Sequence, residues 1–529
     1  MEKSNDIVLM EVDTDKDVES QLAAMGPPQQ QADLSFSIAY RKFSYVWSMV
    51  LLIFATVIMI YTIAKEWTNP PWNYTNPAGE IIIFLLLLTW IALLEGCQIS
   101  IVGLQAINIE LYKKTHPRAY QVLKLAHKGP NVERFLVGRQ FLLLFNGFLV
   151  TKVSGADGDE FYIGDWHWTR EAANFFWKNS VLLMIVIIVP GQLVSQLMAA
   201  EKMLGFLNLP FFGYYTVLLP CLIMESTGLV HSSYMLKDVL CRIGGIDVSK
   251  GGPKKRMSKD FLYYSRVLIS ISAVIFSGLF IIKGLANKQT NATDGPGWNK
   301  LPGWAAIIMT LFFLFIMACA EGLQVSALAL AKTHTASFKD KSPLAYRTTQ
   351  LLYAGRNMQA FLVGRQTIVA MMTVLLARVT SYAGSDGELL EGGDWGMGKG
   401  FNQWLLQTGI LGAVLVCNVA QLASQVTASI FPVELINNHV MHILLRLMLL
   451  IEASGVVNAC WPLAWGVDSL FGLEHDPFDG DETVKTPAQN VLERKKSMGI
   501  PTQRGVSPFD LHQPEAEYHM DYTYKVSYI

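Results

Sequence analysis

Charge is scarce in this chain. Only 16% of its 529 residues are Asp, Glu, Lys or Arg, against about a quarter in an average soluble protein, which argues against an ordinary soluble enzyme. What charge there is cancels: 42 basic residues stand against 43 acidic ones, so the net charge is -1 and no global field would draw the chain to nucleic acid. Cysteine is sparse too. The 6 cysteines are isolated, and Cys97, Cys221, Cys319, Cys417 and Cys460 lie inside apolar runs. Buried free thiols are therefore expected rather than a disulfide framework or a CxxC metal site. No P-loop, HExxH or GxSxG is present, which removes ATP-driven transport within this chain and the usual membrane hydrolases. His439 and His442 stand three apart without a third ligand, so no metal site and no cofactor are expected.

Apolar residues, by contrast, make up 51% of the chain, and its mean hydropathy is +0.31. A bilayer core about 30 Å thick takes roughly 20 mostly apolar residues per helix. Ten runs qualify, near residues 43–64, 80–108, 135–153, 177–203, 209–230, 262–285, 302–331, 360–380, 403–430 and 439–466. The expected fold is an all-α polytopic membrane protein of about ten transmembrane helices. Residues 1–42 are polar and carry none of the marks of a signal peptide, which makes them a cytosolic N-terminal segment and the first span an uncleaved anchor. Residues 467–529 are acidic and contain proline, so they are expected to form a flexible cytosolic tail.

The chain also repeats itself. Glu95-Gly96-Cys97-Gln98 recurs as Glu321-Gly322-Leu323-Gln324, and residues 135–140 (FLVGRQ) recur unchanged as 361–366, both at an offset of 226 residues. Further along, Gln192-Leu193-Val194-Ser195-Gln196 matches Gln421-Leu422-Ala423-Ser424-Gln425, and Glu225-Ser226-Thr227-Gly228 matches Glu452-Ala453-Ser454-Gly455. Two five-helix repeats are expected, 43–230 and 262–466, joined by a basic loop at 231–261. Five full crossings per unit would invert the second half relative to the first, as in many secondary transporters. Equal charge patterns favour parallel halves instead: the basic loops around Lys113 to Lys128 and Lys332 to Arg347 both read as cytosolic. Parallel halves need one re-entrant segment each, and the fifth, with Pro210 and Pro220, is the candidate. Glycosylation of the sequons at Asn73 and Asn291, which fall in equivalent loops, would support that arrangement.

Ionisable groups inside spans usually serve a pathway or a partner. Glu95, Gln98 and Gln105 share one helical face, and Glu95 and Gln98 have counterparts in Glu321 and Gln324. Such a stripe of acceptors and amides suits a small polyhydroxylated solute. The plainer reading is interhelical glue; duplication on equivalent helices weighs against it. Arg139 and Arg365 either snorkel or pair with Glu95 and Glu321, with Gln140 and Gln366 alongside. Glu225, Ser226, Thr227, Glu452 and Ser454 offer oxygen ligands for Na+, although Ser and Thr in membrane helices commonly bond their own carbonyls.

Paired EGxQ and GRQ motifs, one set per half at equal spacing, resemble those of the silicon transporters of diatoms. The resemblance covers nearly all of 40–466 and implies uptake of orthosilicic acid coupled to Na+, feeding silica cell-wall formation. The substrate-site positions it implies are Glu95, Gly96, Gln98, Gly138, Arg139, Gln140, Glu321, Gly322, Gln324, Gly364, Arg365 and Gln366. The implied partners are silicic acid, Na+ and the lipid bilayer, in the plasma membrane or an intracellular vesicle membrane with both termini cytosolic. A passive channel for small neutral metalloid acids or polyols is the alternative, and a membrane-embedded enzyme is remote for want of a nucleophile or metal constellation. Some relatives carry a coiled-coil tail, whereas residues 467–529 show no heptads.

Overall fold

The computed structural model describes residues between 28 and 472, leaving out 69, 71–75, 105–108, 156–161, 164–165, 174–175, 177–179, 211–212, most of 234–260, 295–300, 331–337, 355–356, 385–386 and 391–394. Gln105, most of the basic connecting loop and nearly all of the expected tail therefore lie outside the described residues. The first half runs α1 (Pro28–Ala64), α2 (Pro77–Gly103), α3 (Pro117–Ala126), α4 (Asn131–Ser154), α5 (Val181–Glu201), α6 (Met203–Asn208) and α7 (Leu219–Ser226). The second runs α8 (Phe261–Ala286), α9 (Gly303–Leu330), α10 (Pro343–Leu352), α11 (Asn357–Thr380), α12 (Lys399–Ile430), α13 (Pro432–Ile436) and α14 (His439–Ala453); α15 (Cys460–Phe471) follows. Proline at the first turn of α2, α3, α10 and α13 fixes φ where no intrahelical N–H bond is lost. Asn76 and Asn438 cap α2 and α14 by accepting from Ala78 N and Met441 N.

Among the described residues, 8 helices are long and apolar enough to cross a membrane, four in each half. Ten were expected from the sequence. The segment expected to span at 209–230 is α7 with a π-helical turn, Tyr214–Leu218, before it. The segment expected at 439–466 divides into α14 and α15 around Gly455, whose φ is +74°. At 1.5 Å per residue the 15 residues of α14 reach only about 22 Å, short of a bilayer core about 30 Å thick. Hydropathy averaged over a window does not register the turn at Gly455 or its counterpart at Gly228, where φ is +85°.

Contacts around the fifth segment of the first half trace a return. Asn208 accepts from Arg118 N at the start of α3, Thr216 O accepts from Trp90 Nε1 near the middle of α2, and Glu225 pairs with Arg134 in the first turn of α4. The chain thus leaves one end of the bundle, reaches halfway along α2, and comes back to the end it left.

Large apolar side chains on α1 (Phe43, Val46, Val50), α2 (Ile82, Leu86), α8 (Leu268, Leu279) and α9 (Leu311, Phe312) are exposed, a pattern that suits lipid rather than water. Among the described residues two large apolar cores lie within, one filled mainly by each half, beside a small cluster of Phe280, Tyr382, Leu406 and Leu411, and each large core borrows from the other half. Ala370, Val374 and the 457–464 segment join the first core; Phe141, Leu144, Phe148 and Val230 join the second. The helices exchanged in this way, α4 and α11, cross where Gly147 meets Thr373, its counterpart 226 positions on. Their N-terminal portions converge on one carboxylate: Arg139 Nη1 and Gln366 Nε2 lie 3.5 and 3.4 Å from Glu95. Their C-terminal ends converge on Asn291, whose side chain accepts from Lys152 Nζ at 3.0 Å and whose N–H donates to Ser381 O at 3.0 Å. The two helices run in the same direction.

Candidate functional site

Glu95 lies eight residues before the end of α2, a rise of about 12 Å, and is buried among apolar neighbours. A lone carboxylate there would be costly, and its environment answers that cost. Gln196 of α5 donates to Glu95 Oε2 at 2.9 Å, and Arg139 of α4 approaches the same oxygen. Arg139 Nη2 also donates to Gln140 Oε1 at 2.8 Å. The second half repeats this: Gln425 donates to Glu321 Oε2 at 2.9 Å, Arg365 Nη1 sits 3.5 Å from that oxygen, and Arg365 donates to Gln366 Oε1. Gln366 Nε2 reaches across to Glu95 Oε1 at 3.4 Å and joins the two clusters. Both arginines are buried (5 and 6% exposed), so pairing rather than snorkelling describes them. Two carboxylates face two guanidinium groups, and the centre carries no net charge.

The remaining expected site residues divide into two kinds. Gln98 and Gln324 lie one turn beyond the carboxylates, half-buried and with no hydrogen-bond partner among the described residues. The motif glycines are taken up by packing. A Cβ on Gly138 or Gly364 would overlap the carbonyl oxygen of Cys221 or Met448, and one on Gly96 or Gly322 would strike Phe206 or Leu435. Gly96, Gly138, Gly322 and Gly364 thus let α6, α7, α13 and α14 close on the motif helices.

The oxygen ligands expected for Na+ lie at the ends of α7 and α14, one set in each half. Glu225 pairs with Arg134 Nε at 2.7 Å and has His231 Nε2 at 3.5 Å. Ser226, Thr227 and Ser454 each donate to a carbonyl three residues back on their own helices. Glu452 lies in the last turn of α14, in the other half.

Some polar groups of the centre escaped the sequence reading as site residues. Gln196 and Gln425 bind the carboxylates. Their neighbours Gln192 and Gln421 sit on equivalent π-helical turns, Val189–Leu193 and Cys417–Leu422, and each has a buried Oε1 without a hydrogen-bond partner. Ser100 and Ser326, five residues after each motif glutamate, likewise have buried, unpartnered hydroxyls. The recurrence of QLVSQ as QLASQ was the available signal for the glutamines; for the serines it was only their equal offset of 226.

A helical bundle that shows apolar side chains outward and holds charge-compensated polar clusters inside is a polytopic membrane protein with the design of a transporter. The chain matches the family model of the silicon transporter over residues 37–507 and belongs to the silicon transporter family. Comparison with curated proteins and with solved structures returned no match.

Proposed function

We propose that the protein carries orthosilicic acid across a membrane by secondary active transport, coupled to Na+ influx and serving silica cell-wall formation. The observation that carries the solute assignment is the neutral polar centre. Each buried glutamate is balanced by its own arginine, so the site offers no net attraction to a free anion or cation, while Gln98 and Gln324 beside it leave amide donors and acceptors unengaged. A neutral tetrahydroxy molecule needs both kinds of group on several sides. Na+ coupling rests on family membership and on the absence of a nucleotide-binding motif; no coupling-ion ligands are assigned.

The halves act as parallel repeats of four crossings and one re-entrant segment each. Four crossings return the chain to its starting side, which puts the basic stretches at 113–128, 231–260 and 332–347 all in the cytosol, as the positive-inside rule asks. Both termini are then cytosolic, and the sequons at Asn73 and Asn291 face outward. The plasma membrane suits uptake from the surroundings.

Silicic acid uptake into proteoliposomes with and without an inward Na+ gradient tests the assignment. Uptake that accumulates solute only with the gradient is expected. Equal uptake with choline in place of Na+ would point to a channel, and no uptake at all would overturn the solute.

A further inference from the structure

One turn or more from Glu95 toward the start of α2, the first half holds a pair of acceptor oxygens that the clusters do not use. Asn146 of α4 is fully buried, and its Nδ2 donates to Leu87 O at 2.9 Å. That bond fixes the amide orientation and leaves Oδ1 buried with no partner. Gln192 is 6% exposed, and its Oε1 is also buried without a partner. The two border the same stretch of α2, because Gly191, next to Gln192, packs on Leu88 and Ile91 while Asn146 holds the carbonyl of Leu87. Gln192 sits on a π-helical turn that contains Pro190, an irregularity frequent at functional sites. The position equivalent to Asn146 in the second half is Met372, which offers no such acceptor.

We propose that Asn146 and Gln192 form a second solute subsite, in the first half only, that accepts O–H groups of a neutral polyhydroxylated acid. The inference rests on the neutral-solute reading above and adds an asymmetric step to it. Asn146 Oδ1 is an acceptor whose orientation is fixed and the Gln192 amide adds a second acceptor, so the subsite takes O–H donors, and solute held there lies within about two helical turns of Glu95 along α2. Gln196, one turn along α5 from Gln192, binds Glu95 itself and connects the subsite to the centre.

Initial rates of silicic acid uptake by the full-length protein in proteoliposomes test this, with Gln192→Met and Asn146→Met measured beside the unaltered protein. Met is the residue that the second half carries opposite Asn146, and among the described residues no hydrogen bond of the Gln192 side chain is lost on its replacement. Each variant should raise KM roughly three- to tenfold, the loss of one hydrogen bond, with kcat within about twofold. An unchanged KM in Gln192→Met, in protein of unaltered thermal stability, would overturn the subsite while leaving silicic acid transport intact. Absence of uptake by the unaltered protein would overturn the solute assignment and the subsite together.

Discussion

The two halves keep the same central chemistry and differ in what surrounds it. Glu95, Arg139, Gln140 and Gln196 are matched group for group by Glu321, Arg365, Gln366 and Gln425, with carboxylate-to-amide distances of 2.9 Å in both. Around them the correspondence loosens. Arg134 pairs with Glu225 in the first half, whereas its counterpart position holds Ala360. A π-helical turn precedes the short α7, whereas α14 is one continuous helix. The charged groups of the centre have the same partners in both halves, while polar positions around them differ. Equal behaviour is therefore expected at the centre and unequal behaviour away from it.

The largest effect should follow from Arg139→Met or Arg365→Met. Either leaves a buried carboxylate without its counter-charge, a loss of about 3 to 5 kcal/mol. Folded yield and melting temperature in detergent should fall to a similar extent for the two. A severe loss from one and a slight loss from the other would break the equivalence of the clusters.

Smaller but still matched losses are expected from Gly138→Ala and Gly364→Ala, at about 1 to 3 kcal/mol. Both methyl groups would meet backbone, at Cys221 and Met448, which cannot rotate away. Gly96→Ala should cost less in a melting experiment, because the obstructing atoms belong to the Phe206 ring.

A difference between the halves should appear on acidification. His127 Nε2 sits 2.9 Å from Ile101 O, and Tyr353, 226 positions on, donates through its hydroxyl to Ala327 O at 2.6 Å. Burial lowers the His127 pKa from its ordinary 6.5, only partly offset by the bond to Ile101. The neutral ring is favoured in the fold, so its contribution is present above pH 6.5 and is lost as pH falls through the lowered value. Burial raises the pKa of Tyr353, which stays neutral throughout that range. Melting temperatures between neutral and mildly acidic pH should fall less for His127→Tyr than for the unaltered chain.

Much of this architecture was legible in the residues. Apolar length marks the eight helices that, among the described residues, are long enough to cross a membrane, and the spacing from EGxQ to GRQ locates the pairs that the structure brings together. Positive-inside reasoning also favoured parallel halves, as the common direction of α4 and α11 does. Legibility ended where an average hides a turn: α7 and α14 are apolar enough to pass as spans, but Gly228 and Gly455 stop the chain short. Motif membership likewise conceals the division of labour inside a motif. Whether a glycine faces a solute or a neighbour's carbonyl depends on tertiary approach, as Gly138 against Cys221 illustrates. The pairing of Gln196 with Glu95 joins residues 101 positions apart and leaves no local trace.

Gln98 and Gln324 are the motif side chains that the proposed function leaves free for solute. Silicic acid binding measured together with thermal stability for Gln98→Ala and Gln324→Ala tests it most directly. Weaker binding is expected in both, by roughly 5- to 150-fold for a buried solute group left unpaired, with melting temperatures unchanged because neither amide holds the bundle together. Full affinity in both variants, with or without a loss of stability, would contradict it.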